Sequence, residues 1–254
     1  MFEPVTKWNT RVERVDAIPE IVRKAFRVAT LSKPGPTHIE LPEDLAAAAI
    51  EHDDGRPVPV PLLSGRAYFP EPTNEAIAHA AELVANSERP IILAGNGVLR
   101  RNAAPGLRAL ARGLHVPVAA TFMGKGAIDD RSHLSLMAVG LQARDHVLSG
   151  FDRADLVICV GYDLVEYSPS SWNPDRSKRI IHIDTQPAEI DAAYQPEVEL
   201  IGDIEGSLTS LLAAVMPGGV GGRDAGARHA SRELLVHGDL RTQLLAELAA
   251  HEAT

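Results

Sequence analysis

RPIILAGNGVLRR, residues 89–101, decides how the rest of the chain is read. Ile91 to Gly95 carry no charge. An uncharged run this short, bounded by turn residues, suits a strand buried on both faces of a parallel sheet. Gly95-Asn96-Gly97 then turns the chain into a segment of helical pattern. Glycines on either side of an asparagine permit positive φ and let the backbone come close to whatever sits at the strand's carboxyl end. In open α/β sheets ligands dock at that end, often with a phosphate at a helix N-terminus. GNGVLR departs from G-x-G-x-x-G, because Arg100 stands where the third glycine would be. A nucleotide site and a plain tight turn both remain open.

Outward from this strand the pattern is regular. Thr73 can cap a helix over 74–86, with Ile77, Ala80, Ala81 and Val84 on one face. A helix is expected over 103–114, a second strand over 116–120, and a glycine-flanked loop at 121–126. Residues 142–149 read as helix and 155–160 as a third, apolar strand. A long irregular loop, YDLVEYSPSSWNP, follows Gly161. RIIHID (179–184) is a fourth strand, 187–193 a short helix and 198–201 a fifth strand, and Asp203 caps a helix to Val215. Strands alternating with helices imply an α/β fold, a Rossmann-like doubly wound parallel sheet with right-handed crossovers.

The flanks read differently. Residues 2–8 are a short extended candidate, 17–32 an amphipathic helix and 37–41 a strand. One helix with one or two strands cannot bury a core of its own, so residues 1–45 look like an incomplete α/β remnant. Residues 46–72 form a proline-spaced linker, 73–216 the regular domain, and 217–254 a connector with a closing helix interrupted near Gly238.

The formal charge of −9 argues against nucleic acid, and no basic amphipathic helix or lipidation signal points to a membrane. The single cysteine, Cys159, lies in an apolar strand and suits a reducing compartment, so the cytoplasm is expected. H-E-x-x-H, paired C-x-x-C, G-x-S-x-G and the P-loop are all absent. His38 and His182 sit in expected strands, where a satisfied histidine outweighs a metal ligand. Asp184, at a strand's carboxyl end, could bond a ribose hydroxyl or cap the helix after Pro187. Asp203 faces the same choice.

Several stretches, in order, resemble the thiamine-diphosphate-dependent acetolactate synthase family. FEPVTKW, IPEIVRKAF and GPTHIELPEDL are similar to the end of its pyrimidine-binding domain. RPIILAGNGV, VPVAATFMGKGAID, ADLVICVGYD, IIHIDTQPAEID and ELIGDI are similar to its central domain. The resemblance covers about residues 2–215. It implies that the glutamate activating the cofactor, and the G-D-G motif holding Mg²⁺ and diphosphate, belong to pyrimidine and diphosphate domains absent from this sequence. Gly202-Asp203 is followed by Ile204 and Gly238-Asp239 by Leu240, so neither is that motif. No catalytic residue carries over. A scaffold fragment, inactive alone and homo-oligomeric, is expected, with the Ile18/Ile21/Phe26 stripe as a contact surface.

Anabolic members bind FAD in the central domain. The matching positions here are Gly95, Asn96, Gly97, Met123, Gly124 and Gly140, with Asp184 and Asp203 nearer the adenosine. The loop after Gly161 and the AVGLQ around Gly140 depart from the flavin pattern and are closer to the catabolic, FAD-independent type. An empty or reshaped groove is therefore expected over FAD. The alternatives are a stand-alone module binding FAD, ADP or NAD, or a fragment of another thiamine-diphosphate decarboxylase or carboligase.

Overall fold

The computed structural model describes residues 2–31, 33–48, 69–140 and 148–216, with three further positions at 242, 246 and 249. The chain divides into two compact units, Met1–Tyr68 and Phe69–Thr254.

In the first unit, strands β1 (Trp8–Arg11) and β2 (Thr37–Glu40) pair in parallel across the crossover helix α1 (Ile18–Thr30). Lys7 Nζ donates to the carbonyls of Leu31 and Lys33 at 2.6 and 2.9 Å, satisfying backbone acceptors beyond the end of α1. A short helix α2 (Glu43–Ala46) follows. Of the described apolar side chains in this unit only Val12 and Ala25 are buried, while Phe26 is 64% exposed. The extended segment expected at residues 2–8 is instead a 3-10 turn, Glu3–Val5, with the strand starting at Trp8. Pro4 fixes φ near the helical value and favours the turn.

The second unit opens with α3 (Asn74–Asn86), whose first turn is capped by Thr73 accepting from the Ala76 amide at 3.2 Å. Then come β3 (Pro90–Ala94), α4 (Asn96–Arg100), α5 (Ala104–Leu114), β4 (Val118–Thr121) and β5 (Ser135–Val139). After α6 (Leu148–Arg153) follow β6 (Leu156–Val160), α7 (Pro169–Trp172), β7 (Arg179–Asp184), β8 (Val198–Ile201) and α8 (Ile204–Val215). The six strands form one parallel sheet in the order β5-β4-β3-β6-β7-β8. The central strands β3 and β6 are buried along their whole length. Alternate residues serve opposite faces. Ile92, Ala94, Ile158 and Val160 pack with α3, α5 and α8, whereas Ile91, Leu93, Val157 and Cys159 pack with Phe151, Tyr162, Trp172 and Tyr194. Cys159 is therefore a core residue, as its strand predicts.

Three expectations are corrected. The sheet has a sixth strand, β5, which pairs with β4 through a register shift and carries Met137 at φ +67. An irregular edge strand of that kind leaves no clean period in the sequence. Residues 187–193 form no helix, because Tyr194 is anchored in the aromatic cluster by a tight turn with Asp191. Backbone bonds of 3.2 and 3.0 Å between those two residues close that turn. The loop after Gly161 is not wholly irregular, since it contains α7. Most of the helix expected at 142–149, of the linker and of the closing helix lies outside the described residues.

Asp155 fastens the start of β6 to the start of β3. Its carboxylate accepts from Ser87 Oγ at 2.6 Å and from the amides of Glu88 and Arg89 at 2.7 and 2.9 Å. Burial pushes its pKa up, but these bonds outweigh burial and hold it below the ordinary value. A depressed folded-state pKa gives stability that is present above the unfolded value and lost as pH falls through the folded one. Asp155→Ala should cost about 1–3 kcal/mol at neutral pH. In thermal unfolding the gap between wild type and variant should close as pH falls below about 4.

Candidate functional site

From β3 the chain proceeds outward to β4 and β5, then returns to place β6 on the other side of β3. Crossovers leave in opposite directions from these two strands, so the crevice at their carboxyl ends is the topological switch point, the usual ligand position of an open α/β sheet. Gly95 is the N-cap of α4, and Asn96 and Gly97 form its first turn.

Here the turns after β3 and β6 meet backbone to backbone. The Gly95 amide donates to Val160 O at 2.9 Å, the Gly97 amide to Gly161 O at 2.8 Å, and the Gly161 amide to Ile183 O at 2.8 Å. A Cβ on Gly95 would lie 2.3 Å from Gly161 O, and one on Gly97 would lie 2.6 Å from Gly161 Cα. Gly161 itself has φ +56, and its Cβ would meet Val98 N at 2.5 Å. The three glycines thus serve a contact of chain on chain.

The loop leaving Gly161 then brings a carboxylate to the same place. Glu166 is 4% exposed, and both its oxygens accept from the Asn96 amide, at 3.1 and 3.0 Å. Thr121 Oγ1, at the end of β4, donates to Glu166 Oε2 and accepts from the Gly124 amide at 3.0 Å. Burial pushes the Glu166 pKa up; the bonds from Thr121 and the Asn96 amide oppose this, and nearby Asp163 adds to the rise. Gly140, at φ +92, gives the loop room: a Cβ there would lie 3.0 Å from the Tyr167 ring and 3.5 Å from Glu166 O.

The residues singled out from sequence therefore fall into two groups. Gly95, Asn96, Gly97 and Gly140 lie against the loop that carries Glu166, Gly124 is joined to it through Thr121, and Met123 stands beside Gly124, 43% exposed. Asp184 and Asp203 lie at the carboxyl ends of β7 and β8, joined by the bond from the Gly202 amide to Asp184 O at 2.9 Å. Asp203 caps α8 through the Gly206 amide at 2.9 Å. Asp184 caps no helix, since none follows Pro187; its carboxylate instead accepts from the Thr185 amide and hydroxyl. Arg101 lies within electrostatic reach of both acids and stacks on Phe69, 4.4 Å from the ring centroid. His182 is a satisfied core histidine: Nε2 donates to Gln186 O at 3.0 Å, and Nδ1 shares a 2.7 Å hydrogen bond with Tyr194 Oη. Sequence reasoning missed Glu166, Thr121 and Gly161. The available signal was a glycine at the end of an uncharged strand, followed by two acids, Asp163 and Glu166, among apolar residues.

The family described as thiamine pyrophosphate enzyme, central domain, matches residues 77–211. A probable acetolactate synthase large subunit of Methanocaldococcus jannaschii is 36% identical over 222 residues, covering 85% of this chain and 37% of the relative. Acetolactate synthase of Bacillus subtilis is 32% identical over 215 residues, 83% of this chain and 36% of its own length. Glyoxylate carboligase of Escherichia coli O157:H7 is 31% identical over 212 residues, 83% and 35% respectively. The chain thus spans little more than a third of the length of the curated relatives it matches.

Gly161→Ala would force a side chain into backbone at positive φ and should lower stability by about 2–3 kcal/mol or more, read by denaturant unfolding. Glu166 gives a pH signature of the opposite sign to Asp155. Because its folded-state pKa is raised, its contribution is present at low pH and lost as pH rises through that value. Wild type should therefore lose stability relative to Glu166→Gln as pH is raised from the ordinary carboxyl range, and parallel stability–pH curves would contradict this.

Proposed function

This chain belongs to the thiamine pyrophosphate enzyme family, whose central domain it contains, and on that premise we propose that it is the central scaffold of an acetolactate-synthase-like carboligase. In the complete enzyme two pyruvates would be joined to 2-acetolactate with loss of CO₂. Thiamine diphosphate, held with Mg²⁺ by separate pyrimidine and diphosphate domains, would supply the carbanion chemistry. The relatives' names support the reaction class, and the Glu166 carboxylate on the Asn96 amide supports the scaffold role. Among the described residues, no group of three His, Cys, Asp or Glu side chains comes together as a metal site. On this reading residues 77–211 orient their neighbours and perform no chemical step.

The same reading takes residues 1–45 as the end of the pyrimidine domain and 217–254 as the connector to the diphosphate domain. It places the protein in the cytoplasm as a homo-oligomer; among the described residues no helix is long and apolar enough to cross a membrane. The apolar side chains left exposed on the first unit, Phe2, Val5 and Phe26 among them, suit burial against further protein. A stand-alone nucleotide-binding module is not favoured. A carboligase acting on glyoxylate is the second reading, supported by the 31% identity to glyoxylate carboligase; fold alone does not fix substrate.

The chain by itself, given pyruvate, thiamine diphosphate and Mg²⁺, should form no acetolactate. A chain extended at both ends with the flanking domains of a relative should form it. Turnover by the isolated chain would overturn the scaffold reading. Preference of the extended enzyme for glyoxylate would move the assignment to the second.

A further inference from the structure

We propose that Glu166 is a built-in occupant of the switch point, a carboxylate held where a nucleotide phosphate would sit, and that it excludes dinucleotides, FAD included, from this domain. The inference concerns the binding properties of the crevice and stands whether or not the carboligase reading holds.

The position is the first argument. In open α/β sheets a nucleotide lays its phosphates against the turn after the first strand. Here that turn is Gly95-Asn96-Gly97, and its Asn96 amide is already spent on both oxygens of Glu166. The neighbouring strand end carries Thr121, whose hydroxyl is bound to the same carboxylate. An incoming phosphate would find the amide and the hydroxyl taken. It would also meet the negative charge of Glu166, with Asp163 close by.

The second argument is how the carboxylate is held. The Glu166 amide donates to Asp163 O at 2.9 Å, tightening the loop just before it. Tyr162 Oη donates to the carbonyl of Tyr167, the next residue. Tyr162 is in turn packed edge-on against Trp172 and Tyr194, with centroids 6.3 and 5.5 Å away. Gly161 seals the loop's start against Gly95 and Gly97. A ligand tethered at both ends acts at an effective concentration that a free nucleotide must outcompete. Displacing it would also strand a buried carboxylate without partners, which is costly.

The test is thermal unfolding of the full chain, of Glu166→Ala and of Glu166→Gln, each with ADP, FAD, acetate, formate or chloride at matched ionic strength. Wild type should show no rise in Tm with any of them, since only a ligand of the native state stabilises it. Glu166→Ala should melt several degrees lower and recover part of that loss in acetate or formate, but not in chloride, because a small carboxylate can refill the site. Glu166→Gln, which keeps the shape and an acceptor oxygen, should not respond. A rise in wild-type Tm with ADP or FAD would overturn the proposal, as would a Glu166→Ala protein as stable as wild type or indifferent to acetate. If Glu166→Ala does not fold in buffer, refolding yield replaces Tm: recovery in acetate over chloride supports the resident carboxylate, and equal failure in both sinks it.

Discussion

The contact on which the second unit depends is backbone against backbone, where the turn after β3 meets the turn after β6. Gly95 and Gly97 lie against Gly161 with no side chain between them, and three amide bonds of 2.8–2.9 Å knit the two turns and the end of β7 together. Every strand end in the middle of the sheet is referenced to this junction. Any Cβ at these positions would push the two central strands apart, and the buried residues of both faces would lose their register.

Glu166 follows from that junction. Once Gly161 has turned the chain back over the crevice, the loop must cover the first turn of α4, whose amides have no partner within the helix. A carboxylate is well suited to the task, because it accepts from an amide and a hydroxyl at once and carries the sign favoured at a helix start. Its burial carries a desolvation cost, visible as the upward pressure on its pKa. The hydrogen bonds offset part of this. Asp155 shows the other balance at the opposite end of the sheet: partly exposed and bound by three donors, it is stabilised in its charged form.

These features give the central domain a coherent physical character. Glu166 occupies the turn after β3, the central strands are buried, and several side chains singled out as ligand candidates tie the loops together. Asp203 caps α8, Asp184 secures Thr185, and Thr121 links Glu166 to the Gly124 turn. A domain tied together in this way suits the orienting role proposed for it within a larger enzyme.

The sequence by itself determined the alternation of strands and helices, the cap at Thr73, the burial of Cys159, the satisfied His182 and the family, and at Asp203 it left a cap and a ribose contact open. Each of these is written in a local period, a residue type at a fixed offset, or a motif order. Tertiary structure alone decided the sixth strand, the turn at Asp191–Tyr194 that replaces a helix, and the placing of Glu166 on the turn after β3. Those outcomes rest on partners distant in the chain. Glu166 lies 70 residues from Asn96 and 45 from Thr121, and Tyr194, in the turn before β8, is hydrogen-bonded to His182 of β7. No local pattern encodes such a meeting; it exists only once the sheet has brought the strand ends together.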